Sequence, residues 1–219
     1  RLPVCLDCLA GIHLCYTEPA CPRCGRAGAA PDLCPHCRTE PPAFDSVASW
    51  AWYEGAGREL IRLLKFHAVL PAATFLTAQM DLVPAPSADL VLAVPLGRHR
   101  RRERGFNQAE HLARRWARHH GLPASFRALW RTRDTAPQWG LSARERQANM
   151  AGAFAANAAA VAGRRILLVD DVLTTGATAS ACAAALRQAG AAAVYVLTAA
   201  RAPWRDAAGE TIGPGEAAA

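Results

Sequence analysis

The sequence predicts an α/β protein, a mostly parallel sheet with flanking helices preceded by a small cysteine-rich module. Three observations carry this. Short continuous apolar runs at residues 90–95 (LVLAVP), 166–169 (ILLV) and 194–199 (VYVLTA) have the length and composition of strands buried on both faces. The first two runs pass through a polar segment into a helical pattern, the strand–loop–helix alternation of a parallel sheet. Seven of the eight cysteines fall within the first 37 residues, six of them as Cys-x-x-Cys pairs.

Along the chain, residues 1–40 are rich in Cys, Pro and Gly and hold too few large apolar residues for a core of their own. A metal is expected to organise them. Pro41-Pro42 marks the boundary, because consecutive prolines disfavour helix and stiffen a linker. Residues 46–53 alternate and predict a strand, 54–57 a turn, 58–67 and 71–82 helices. Residues 98–104 read as an arginine-rich loop and 107–120 as a helix closed by Gly121 and Pro123. Residues 130–150 show no period and read as a long mobile loop. A strand at 166–169, a helix at 179–189 ended by Gly190 and a strand at 194–199 follow. The expected units are 1–40, 44–204 and a disordered tail at 205–219.

Composition narrows the class. Of 219 residues 52% are apolar and 20% charged, and no apolar run reaches the roughly 18 residues of a membrane span, so no membrane insertion is expected. No secretory pattern opens the chain, which begins at Arg1, and clustered Cys-x-x-Cys pairs suit metal chelation better than disulfides. A reducing cytoplasm is the expected compartment. The net charge of +7 is local: residues 98–146 hold thirteen arginines against four acids, 13 − 4 = +9, leaving −2 for the rest. Concentrated guanidinium implies a partner bearing phosphate, either a nucleotide-like ligand or nucleic acid.

Residues 166–178 (ILLVDDVLTTGAT) carry the most specific chemistry. A strand that ends in two acids and passes through a Thr/Gly turn into a helix puts polar groups at the carboxyl edge of the sheet, where open α/β folds bind ligands. Backbone N–H groups from Thr174 to Thr178, freed by Gly176, and three threonine hydroxyls can cradle a phosphate monoester. Asp170 and Asp171 can accept from the neighbouring hydroxyls of a ribose. A plain helix cap uses one such residue, not two acids, three threonines and a glycine within nine. The Gly-x-x-x-x-Gly-Lys loop of nucleoside triphosphatases and the Gly-x-Gly-x-x-Gly dinucleotide turn are both missing here.

This segment resembles the phosphoribosyl pyrophosphate (PRPP) motif of the type I phosphoribosyltransferases. The resemblance implies a type I phosphoribosyltransferase-like fold. It also implies that Asp170 and Asp171 hold the ribose hydroxyls, and Thr174, Thr175, Gly176, Ala177 and Thr178 the 5-phosphate. Arg98, Arg100, Arg101, Arg102 and Arg104, following the strand at 90–95, form a second anion site suited to pyrophosphate. The competing reading of such a charge run is a solvated turn or a nucleic-acid contact.

Residues 94–96 (VPL), 102–110 (RERGFNQAE), Arg133, Thr135, Gln138, Leu141, Arg144, Arg146, Asn149 and Phe154, with the amino-terminal cysteines and Phe44-Asp45, resemble the competence protein ComF family over nearly the whole chain. That resemblance implies a zinc-ribbon module joined to a phosphoribosyltransferase-like domain, and a role in DNA uptake during natural transformation. The implied partners are PRPP, single-stranded DNA and a DNA-uptake helicase. Residues 135–149 would then be a loop closing over PRPP. Trp50 and Trp52 are candidate stacking faces for bases.

Cys21, Cys24, Cys34 and Cys37 have the spacing of one closed structural zinc site. Cys5 and Cys8 form half of a second, for which Cys15, His13, His36 or cross-pairing with Cys21/Cys24 stay open. The resemblance also implies a further Cys-x-x-Cys pair upstream, which ComF-like proteins often carry. Cys182 reads as a small buried residue. Mg²⁺ is the expected companion of PRPP. No segment identifies a base pocket or a general acid or base. A nucleobase phosphoribosyltransferase of salvage (a pentosyltransferase) and a non-catalytic PRPP-sensing regulator therefore stand beside the DNA-uptake reading.

Overall fold

A computed structural model describes residues 3–27, 32–67, 69–133, 150, 152–205 and 211–212. Its centre is a five-stranded sheet in the order β1-β7-β6-β2-β3, all neighbours parallel. The strands are β1 (Ser46–Trp52), β2 (Leu90–Ala93), β3 (Ala124–Ser125), β6 (Arg165–Leu173) and β7 (Ala193–Arg201). Leu90–Ala93 is buried throughout, as its unbroken apolar run requires of a central strand covered on both faces.

One face packs against α3 (Gly55–His67), α4 (Leu70–Met80) and α6 (Gln108–His119), through Leu60, Ile61, Leu64, Leu76, Leu112 and Trp116. The other packs against α8 (Ala177–Gln188) and the antiparallel pair β4 (Leu129–Arg131) and β5 (Phe154–Ala156), through Cys182, Leu186, Leu129 and Phe154. A short helix, α7 (Ala158–Val161), leads into β6. Cys182 is fully buried, as its place in an alanine-rich helix predicts.

The strand order creates a crevice. β2 and β6 are neighbours, yet the chain leaving β2 crosses to β3 through α6 on one face, and the chain leaving β6 crosses to β7 through α8 on the other. Where adjacent strands send their connections apart, the carboxyl edge of the sheet opens.

Amino-terminal to the sheet lie α1 (Leu6–Ala10) and α2 (Pro35–Thr39). Residues 13–15 run along the outer edge of β1: the Cys15 amide donates to the Trp50 carbonyl and the Trp52 amide to the His13 carbonyl, both at 2.9 Å. This pairing covers a strand edge that would otherwise be open. The backbone of β8 (Trp204–Arg205) pairs with β9 (Thr211–Ile212), and the rest of 206–219 lies outside the described residues.

Four local expectations are corrected. Residues 55–57 form the first turn of α3 rather than a turn before it. Residues 98–104 are a helix, α5 (Arg98–Arg104), rather than a loop; arginine is a good helix former, and Gly105 at φ 75° supplies the left-handed stop. Trp130 and Arg131 belong to β4, because a strand pairing with residues 154–156 outweighs the weak local period. The strand predicted at 166–169 runs on to Leu173 and takes both acids into the ladder.

Candidate functional site

The crevice is floored by the end of β6. Asp170 pairs with Thr198 in the β6–β7 register, and its Oδ1 accepts from the Asp171 amide at 2.8 Å. Successive strand residues project to opposite faces, and the two acids part accordingly. Asp171 turns toward α3, where Lys65 Nζ stands 3.2 Å from its Oδ2 as an ion pair outside hydrogen-bond geometry. Asp170 lies toward α8, near enough to Cys182 to push that buried thiol up further. Desolvation, reinforced by the neighbouring Asp171 charge, raises the Asp170 carboxyl far above the usual carboxylate range.

The turn that follows has Thr174 exposed and Thr175, Gly176, Ala177 and Thr178 half-buried. Gly176 caps α8 at φ 79°, a left-handed conformation that side chains resist. Thr175 Oγ1 accepts from the Ala177 amide at 3.4 Å. The α8 amino terminus, with its partial positive charge, therefore opens beside the two acids.

Of the five arginines expected at a second anion site, only Arg104 is drawn in. It is half-buried, its guanidinium lies 5.1 Å from the Phe66 ring, and it feels the Asp171 charge; desolvation lowers its pKa. Arg98, Arg100, Arg101 and Arg102 are exposed on α5, with Arg101 Nη1 3.4 Å from Glu110. The Asn107 side chain fixes this segment: its Nδ2 donates to the Val94 carbonyl and its Oδ1 caps α6 by accepting from Ala109, both at 3.0 Å.

Sequence reasoning missed Lys65 and the Tyr53 ring beneath its ammonium, 5.7 Å away. A signal was present, since the chain's only lysine stands four residues after Ile61 on the apolar stripe of α3. The expected loop over the site, residues 135–149, lies outside the described residues. Trp50 and Trp52 are buried at 1% and 3% exposure, which removes them as stacking faces. Both are consumed by packing, Trp50 edge-on to Phe75 and Trp52 donating to Glu18.

Cys21, Cys24, Cys34 and Cys37 converge with all four sulfurs within 4.8 Å of one another. Cys24 and Cys34 Sγ lie 3.6 Å apart, close to the ~3.8 Å edge of a tetrathiolate around an ion bound at about 2.3 Å. The residues fit a metal ion. Gly25 at φ 68° turns one knuckle, and Arg201 at the end of β7, 3% exposed, donates to the Cys24 carbonyl. The cluster is thereby tied to the strand beside β6. Among the described residues no further ligand joins Cys5 and Cys8: both are exposed, His13 contacts Glu54 at 2.6 Å, and Cys15 sits on the β1 edge.

Fold and site define a mostly parallel α/β protein with two acids and a Thr-Thr-Gly turn at the carboxyl edge of its sheet and a four-cysteine cluster at its amino-terminal end. No family model matches the chain. Curated relatives do: it is 35% identical over 185 residues to the DNA utilization protein YhgH of Salmonella typhimurium, and equally to that of Escherichia coli K12, covering 80% of this chain and 81% of each relative. It is 28% identical over 223 residues to competence protein F of Haemophilus influenzae, covering 90% and 96%. The chain belongs to this ComF/YhgH family.

Among solved structures it is similar to the adenine phosphoribosyltransferase of Thermoanaerobacter pseudethanolicus (TM-score 0.41, 14% identity, 62% of this chain and 84% of that one). A second is the glutamine PRPP amidotransferase of B. subtilis (TM-score 0.40, 22% identity, 66% and 27%). The family assignment rests on the sequence relatives. Among the described residues no helix is long and apolar enough to cross a membrane.

Proposed function

We propose that the protein binds PRPP in the β2/β6 crevice and acts in DNA uptake together with single-stranded DNA. One observation carries the reading: in a family whose named members are DNA utilization and competence proteins, β6 delivers Asp170, Asp171 and a Thr-Thr-Gly turn to an opened sheet edge faced by Lys65 and Arg104. The turn and the α8 amino terminus hold the 5-phosphate, Asp170 with Asp171 the ribose hydroxyls, and Arg104 with the exposed arginines of α5 the pyrophosphate. Mg²⁺ accompanies the pyrophosphate, and zinc fills the four-cysteine cluster. The exposed cations of α5 also suit a DNA backbone.

Calorimetric titration with PRPP and Mg²⁺ tests the site. Wild type is expected to bind and Asp170→Asn/Asp171→Asn to lose binding, whereas equal binding would overturn the assignment. Incubation with nucleobases and oligonucleotides, read as pyrophosphate release, separates the roles. Release driven by a base makes the protein a salvage-type phosphoribosyltransferase, and oligonucleotide-dependent PRPP retention or release supports the DNA role.

A further inference from the structure

We propose that Asp81, His119 and His120 form a binding site for a divalent transition-metal ion, separate from the cysteine cluster and from the crevice. Asp81 caps the carboxyl end of α4, His119 is the last residue of α6 and His120 its cap. The Asp81 carboxylate is shared between two imidazoles: Oδ2 lies 2.5 Å from His119 Nδ1 and Oδ1 3.0 Å from His120 Nε2. One donor atom from each residue falls within 4.8 Å of the others. Ligands of a tetrahedral ion bound at about 2.0 Å stand roughly 3.3 Å apart, so the cluster closes on an ion with displacements under about 1 Å.

Three features favour a cation here. Two helices of eleven and twelve residues bring their carboxyl ends together, and each end carries partial negative charge. The Asp81 side chain is only 15% exposed and both its oxygens point at ring nitrogens. The His120 ring is held by stacking on Trp116, with centroids 3.8 Å apart and planes at 22°, the orienting support a ligating imidazole needs.

A carboxylate accepts only, so His119 Nδ1 and His120 Nε2 carry the protons in the metal-free cluster. Binding moves each proton to the other nitrogen of its ring and frees the two lone pairs. Two imidazoles and a carboxylate select zinc, cobalt, nickel or copper over magnesium or calcium. The remaining positions are open to water. α6 starts at the crevice and runs roughly 18 Å away from it, so the ion pins the far ends of α4 and α6 and leaves the ligand edge untouched.

The test titrates the zinc-loaded full chain with cobalt(II), followed by calorimetry and absorbance. The expected result is one further equivalent of cobalt without sulfur-to-cobalt charge-transfer absorption, accompanied by a rise in Tm. His119→Gln keeps a hydrogen-bond donor beside Asp81 and is expected to lose both the equivalent and the Tm rise while retaining its zinc. Equal uptake by that variant, or no uptake beyond the cysteines, overturns the site. Should His119→Gln misfold, cobalt-induced broadening of the His119 and His120 ring protons in the wild-type chain decides the question, and its absence likewise overturns the site.

Discussion

Lys65 Nζ lies 3.2 Å from Asp171 Oδ2, with side-chain exposures of 16% and 5%, so the acid that sequence places at a ribose is already neutralised from within the fold. Removing one member of such a pair strands a buried charge. Lys65→Met is expected to cost about 3 kcal/mol, at the low end for buried pairs because Arg104 also faces Asp171. The double variant Lys65→Met/Asp171→Leu should recover most of that loss. Urea unfolding of the four members of the cycle measures the coupling; additive losses would show that the two charges act independently.

Asp170 has its carboxyl raised by desolvation and by Asp171. An acid that titrates higher in the folded than in the unfolded state favours the fold at low pH. It costs stability as pH rises from about 4 through the folded-state value. Asp170→Asn should therefore be more stable than wild type at pH 8, with the gain vanishing below about pH 4, while PRPP binding is lost. Denaturation midpoints across that range check the sign; a gain that grows on acidification would contradict it.

Removal of metal from the four-cysteine cluster is expected to act locally before it acts globally. The cluster holds the chain that pairs residues 13–15 with β1, so chelation should accelerate hydrogen exchange at the Cys15 and Trp52 amides. The amides of 166–169, buried at the centre of the sheet, should keep their protection. Simultaneous loss at both sites would mean that the module and the sheet unfold as one unit.

Single-stranded DNA binding, if it uses α5, should be steeply salt-dependent. Arg100→Ala/Arg101→Ala/Arg102→Ala is expected to reduce the slope of log K against log salt by about 2, at roughly 0.7 per phosphate contact. Phe66, 62% exposed and beside Arg104, is the exposed ring that the proposed DNA role would use in place of the buried tryptophans. Phe66→Ala should weaken binding about tenfold, within the range for one base–aromatic stack. Fluorescence anisotropy at several salt concentrations reports both quantities.

Much of the architecture was legible without coordinates. The runs at 90–95, 166–169 and 194–199 became adjacent parallel strands, because an unbroken apolar run has no polar face to give to solvent and must be covered twice. The convergence of Cys21, Cys24, Cys34 and Cys37 followed from spacing alone. The helix at 98–104 did not, since an arginine run carries no apolar period and looks the same in a solvated loop or helix.

The sequence by itself determined the chemistry offered at one place: two acids and a Thr-Thr-Gly turn follow one another along the chain, so their backbone arrives together at one end of β6. Only the tertiary structure decided what faces them. Lys65, Arg104 and Phe66 arrive from α3 and α5 because those elements pack beside the end of β6, and the alternation of strand side chains sends Asp171 to that side and Asp170 to the other. The same packing spent Trp50 and Trp52 on the core. Exposure and partnership are properties of the packed layers, and a local pattern of residue types does not carry them.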